Sequence, residues 1–140
     1  MTAIKFMHPA DRVMRAARDM SLEPHQREAI SEPELDVEMW APHPGGAQQP
    51  QLLEVSYPPN VTASPHAHES DEIIVVMRGE MRFGNNVCGI GSSALIPAYT
   101  LYSFVAGPEG VTFLNFRGRA DNSLLTPKAV RARRLSGQAQ

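Results

Sequence analysis

The amino-acid sequence predicts an all-β domain, a sandwich or barrel of short strands, and three observations carry that prediction. Short apolar, β-branched runs recur between residues 51 and 117, each of strand length and none of helix length. Clusters with turn chemistry separate them: Pro58-Pro59-Asn60, Gly84-Asn85-Asn86 and Gly107-Pro108-Glu109-Gly110. The 12 prolines and 10 glycines mostly punctuate short segments, which favours many turns over long helices. No regular β-then-helix alternation calls for a parallel α/β sheet, and no repeat of fixed period is visible.

A chain of 140 residues is the size of one domain with a real core. Residues 1–50 read as an extension packing on the barrel, 51–117 as the barrel core, and 118–140 as a C-terminal segment and tail. Within the extension, His8-Pro9-Ala10-Asp11 opens a short helix, with proline near its first turn. Val13, Met14, Ala17 and Met20 follow at helix-like spacing, and the helix should end near Ser21 to Pro24. Leu35, Val37 and Met39 alternate with Asp36 and Glu38, as in a half-buried strand, and a Pro/Gly-rich loop follows from Ala41 to Pro50.

The barrel strands are then expected at Leu52–Tyr57, Val61–His68, Ile73–Met77, Glu80–Phe83, Val87–Ile90, Ala94–Ile96, Leu101–Val105 and Val111–Phe116. Ile73-Ile74-Val75-Val76-Met77 is apolar throughout and suits a strand covered on both faces. After Arg117 the strand pattern stops, and Lys128, Arg131, Arg133 and Arg134 gather in what reads as a solvated polar tail.

Composition narrows the function classes. A net charge of −2 and a pI near 6.2 give no global basis for a nucleic-acid or membrane surface. No apolar run approaches the length that crosses a bilayer, and Met1 to Val13 lacks a secretory leader, so a cytoplasmic location is expected. The single cysteine, Cys88, has no internal disulfide partner and reads as a buried, inert thiol.

The chemistry concentrates in His66-Ala67-His68-Glu69-Ser70-Asp71-Glu72, with Gly79 beyond it. Two histidines two residues apart on an extended chain share a face and can converge on one ion. A straight strand would carry Glu72 roughly 20 Å from His66, because each residue rises about 3.3 Å. For one ion to be shared, the chain must fold back through Glu69-Ser70-Asp71, a polar segment suited to a turn. The bland alternative is a pair of surface histidines beside a strand-end charge. His8, His25 and His43 are lone and read as surface or structural residues.

These residues resemble the first motif of the cupin family: glycine, five residues, His-x-His, three or four residues, Glu, six residues, glycine. Asn60 stands at the first glycine, and His66, His68, Glu72 and Gly79 match at the family spacing. Asn tolerates left-handed backbone better than most residues, so that departure is mild. The second motif matches at Gly91 and Pro97 and departs at Tyr99, Tyr102 and Ala106; Tyr102 stands where the family carries a fourth ligand, a histidine. The resemblance covers residues 51–117. It implies a double-stranded β-helix, or jelly roll, with a metal or ligand pocket inside.

On that basis His66, His68 and Glu72 are the expected ligands of one divalent transition metal, Fe, Mn, Ni or Zn, with coordination positions left open. Tyr102 coordinates, donates a hydrogen bond to a bound group, or fills the pocket wall; it is the best candidate for an acid–base role. Thr100, Phe104, Phe113 and Asn115 are pocket-lining candidates by strand parity. Arg82 and Arg117 pair with an anionic substrate if they face inward and otherwise sit at the rim. The expected function is a metal-dependent enzyme acting on a small organic substrate, of oxygenase, isomerase or lyase type. The alternative is a non-catalytic ligand-binding or sensory protein. A homodimer is expected, with no nucleic-acid or membrane partner.

Overall fold

Period-two burial turns the apolar runs into strands of one curled antiparallel sheet, in which alternate side chains enter a common interior. The computed structural model describes residues 3–137; the ends of the extension and tail, 1–2 and 138–140, lie outside them. Strands β1 (Arg15–Ala16), β2 (Glu38–His43), β3 (Gln51–Tyr57), β4 (Thr62–His66), β5 (Glu72–Phe83), β6 (Asn86–Cys88), β7 (Ser93–Ile96) and β8 (Tyr102–Arg117) follow in order. Helix α1 (Pro24–Glu28) precedes β2, and α2 (Pro127–Leu135) follows β8. The sheet runs β1-β2-β3-β8-β5-β6, with β4 also paired to β8 and β7 to β5.

Strand β8 organises the fold. Its second half pairs with β3 on one side and β5 on the other, while its first half pairs with β4 and the end of β5. The turn expected at residues 107–110 is instead an irregularity the strand runs through. The neighbouring chain captures backbone groups on its approach: Asn60 N–H donates to the Gly107 carbonyl at 3.1 Å, and Ala106 N–H to Val61 at 2.9 Å. At this crossing Gly79 has φ +71°, and a Cβ there would meet the Gly110 carbonyl oxygen at 2.0 Å, so only glycine fits. Ile74, Val76, Met81, Phe104, Val111 and Phe113 fill the barrel core.

The extension departs from its expected form. Residues 9–20 do not make one helix: Pro9–Asp11 and Ala17–Asp19 are single 3₁₀ turns, and Arg15–Ala16 pairs with Glu38–Met39. A short isolated helix is marginal in water, and here the free edge of β2 takes the backbone groups. The helix forms later, with Pro24 at its first position. Pro33–Asp36 is a 3₁₀ turn, so the expected strand starts at Glu38.

Two more expectations are corrected. Ile73 and Met77 are 41% and 47% exposed, so β5 is buried on one face, through Glu72, Ile74 and Val76. Residues 127–135 form α2, capped by the Thr126 hydroxyl accepting from Ala129 N–H and anchored by buried Val130. Cys88 is a free, half-buried thiol. No helix among the described residues is long and apolar enough to cross a membrane.

Candidate functional site

The chain does fold back after the histidine pair. Tyr99 N–H donates to the His68 carbonyl at 2.7 Å, Ala98 N–H donates to the Asp71 carboxylate at 2.8 Å, and Ala67 exchanges backbone hydrogen bonds with Leu125. These bonds hold the turn and bring Glu72 Oε2 to 3.8 Å from His68 Nε2. The imidazoles of His66 and His68 lie 5.1 Å apart, centre to centre.

Both rings are fixed in the same way. His66 Nδ1–H donates to the Ser64 carbonyl and His68 Nδ1–H to the Ser123 carbonyl, each at 2.6 Å. A carbonyl only accepts, so each Nδ1 carries the proton and each neutral ring keeps its lone pair on Nε2. Burial lowers the pKa of His66, and burial together with the Arg117 charge lowers that of His68 to about 4.

Glu72 is 1% exposed and surrounded by donors. Tyr102 hydroxyl donates to Oε1; Asn115 Nδ2 at 3.2 Å and Arg117 Nε at 3.1 Å donate to Oε2. Register explains the pairing, since Glu72 and Arg117 are direct cross-strand partners. Arg117 Nη1 is held by the Gln51 side chain at 3.3 Å and the Asp121 carbonyl at 2.6 Å. Its Nη2 lies 3.1 Å from Glu72 Oε2 and 3.4 Å from His68 Nε2. Burial and the Glu72 charge raise the Tyr102 pKa well above its ordinary value, so the phenol stays a donor.

Above this network opens a cavity of about 500 Å³. His66, His68, Tyr102, Asn115 and Arg117 form its polar wall, and Phe104 and Phe113 belong to its apolar wall. Thr100 is exposed in the turn before β8 and does not line it. Arg82 is half-exposed and bound to Glu80, whereas Arg117, expected at the rim, is interior. The sequence carried a signal for this, because Arg117 continues the parity of Phe113 and Asn115.

Two contributors were not foreseen. Glu34, from the extension, is buried at the cavity and accepts from Ser31 N–H and hydroxyl and from Ser64 N–H and hydroxyl. The Ser31-x-x-Glu34 spacing, a capping-box pattern, was a signal for the first of these pairs. Residues 121–125 supply the carbonyls that orient His68 and Arg117, and nothing in their composition announces it.

No family model and no curated protein matches the chain in sequence. Solved structures do. An RmlC-like cupin protein from Ralstonia eutropha JMP134 superposes with a TM-score of 0.65 at 15% identity, over 96% of this chain and 87% of that one. This chain has the cupin fold. The polyketide cyclase RemF from Streptomyces resistomycificus gives a TM-score of 0.63 at 23% identity, over 89% and 86% of the two chains. KdgF from Halomonas sp. gives 0.59 at 16%, over 84% and 96%.

In this barrel the metal question turns on Glu72. The two imidazoles present lone pairs as metal-binding histidines do. The carboxylate does not: it lies behind Tyr102, Asn115 and Arg117, off the cavity wall, and is saturated with donors. Among the described residues no three His, Cys, Asp or Glu side chains form a group able to hold a metal ion. As packed, His66, His68 and Glu72 do not fit a resident ion.

Proposed function

We propose that this cupin-fold chain binds a small organic molecule in the barrel cavity and acts on it as an enzyme of the isomerase or lyase kind. The observation that carries the reading is one polar wall, His66, His68, Tyr102, Asn115 and Arg117, facing an otherwise largely apolar cavity of about 500 Å³. That volume suits a small ligand. His66 Nε2 is the base offered to a bound molecule, because the lone pair of His68 already faces Arg117. Asn115 Oδ1 is buried without a partner, and its amide orientation is fixed by the bond from Nδ2 to Glu72. The fold of a named polyketide cyclase accommodates such a use of the cavity.

A metal-dependent enzyme is the second reading, with Fe, Mn, Ni or Zn on His66, His68 and Glu72 after Arg117 and Tyr102 have moved off the carboxylate, and with oxygenase chemistry within reach. The fixing of both Nδ1–H groups by backbone carbonyls favours it. A non-catalytic ligand-binding protein is the third. We propose further that the chain assembles as a homodimer.

Incubation with a small-molecule extract, followed by mass spectrometry, tests the proposal. Wild-type protein should deplete a compound and release a product, and His66→Ala should retain the compound without converting it. Binding without conversion by the wild type would favour the non-catalytic reading, and no binding would overturn all three.

A further inference from the structure

We infer that the Arg117 guanidinium holds the place of a cation in this barrel, so that the native chain is a metal-free site and removal of that one charge makes it a metal-binding one. The spacing is that of a shared ion. His68 Nε2 and Glu72 Oε2 are 3.8 Å apart, a gap that two bonds of about 2.0–2.2 Å to one ion can span. Arg117 Nη2 stands against both atoms, at 3.4 Å and 3.1 Å. One guanidinium thus satisfies both atoms that an ion would take, the lone pair through Nη2 and the carboxylate oxygen through Nε.

The guanidinium is not a passing occupant. It is 5% exposed, and its other nitrogens are held by Gln51, the Asp121 carbonyl and Glu72 itself. These partners come from three places in the chain: β3, the segment after β8, and β5. A divalent ion entering here would meet a fixed positive charge at contact distance with the donors already used. A guanidinium cannot lose its proton to make room. The family position that would carry a fourth histidine holds Tyr102, whose hydroxyl donates to Glu72 instead of offering a lone pair. Two substitutions of chemistry therefore point the same way.

The inference deepens the reading of the cavity given above, but its test reads metal binding and not turnover, so the two can fail separately. Tag-free wild-type protein and Arg117→Gln are each titrated with Zn(II), Ni(II), Mn(II) and, without oxygen, Fe(II), by calorimetry and by metal analysis after dialysis. Wild type should retain no stoichiometric metal. Arg117→Gln should bind one equivalent at an affinity on the order of a hundredfold higher or more, because a charge at contact distance is gone. That binding should disappear when His66→Ala and His68→Ala are added.

Arg117→Gln strips a partner from buried Glu72 and will be less stable, so melting is followed as well. Zn(II) should raise the melting temperature of Arg117→Gln and leave that of wild type unchanged. Tight stoichiometric metal in wild-type protein would overturn the inference and favour the metal-dependent enzyme. Absence of metal from every variant would show that the imidazoles and Glu72 do not form a latent site.

Discussion

His68 shows how a single residue couples site geometry to stability. Its pKa falls to about 4 in the folded chain, by burial and the Arg117 charge, from an ordinary 6.5. Between those values the unfolded chain binds a proton that the folded one refuses, so stability falls as pH drops from about 6.5 towards 4 and is unaffected by this group above that window. The contribution is at most about 3 kcal/mol at the acid end. Urea midpoints at pH 7 and pH 5 should differ more for wild type than for His68→Asn; equal differences would remove the residue from the account. Tyr102→Phe takes one donor from a buried carboxylate and should cost about 1–3 kcal/mol, lowering the melting temperature by roughly 3–10 °C. An unchanged melting temperature would mean that Glu72 finds another donor. At this scale the sequence was readable where spacing alone decides. Asn60 does adopt left-handed backbone, at φ 62°, and so does Tyr99, at φ 61°, standing where the family has glycine. Parity marked Arg117 as inward-facing, but its partner was not readable, because that depends on which strand lies opposite. Here that is the strand bearing Glu72.

At the scale of elements, the barrel strands were legible and the flanking segments were not. Period-two patterns report a half-buried sheet directly, whereas the extension and the residues after β8 take their form from the barrel they cover. The extension forms part of the cavity wall, where Leu22, Gln26 and Ala29 join its lining. Glu34 pins it by binding Ser31 of the extension and Ser64 of β4 together. Glu34→Ala removes an acceptor shared by these groups. It should accelerate amide hydrogen exchange across residues 21–36 while β5 and β8 stay protected. Uniform acceleration through the whole barrel would instead make Glu34 a global stability residue. The C-terminal segment acts from the other side: Glu69 N–H donates to the Ser123 hydroxyl at 2.8 Å, and Arg133 of α2 stacks on the Tyr99 ring at 4.0 Å. The basic cluster expected to be solvated thus helps dock a helix beside the turn that positions His68.

The exterior of the whole molecule bears on assembly. The outward face of the sheet carries an apolar row in register across four strands: Leu52 of β3 pairs with Phe116 of β8, Phe116 with Ile73 of β5, and Ile73 with Leu95 of β7. Phe116, Ile73 and Leu95 are 43%, 41% and 68% exposed. Sequence reading placed Ile73 in a strand covered on both faces; the described residues of one chain cover only the inner face, and a second copy is the cover we propose. Ile4 and Phe6 of the extension are also exposed and offer apolar groups to the same partner. A self-complementary pairing of two such rows would be a two-fold interface, the commonest arrangement among soluble homo-oligomers. Light scattering on wild-type protein should give twice the chain mass. Ile73→Lys with Leu95→Lys, both on the outer face, should give a monomer with an unchanged circular dichroism spectrum, because neither side chain belongs to the barrel core. If the dimer survives both lysines, this row is not its interface, and a wild type that stays monomeric at high concentration leaves the row as solvent-facing surface.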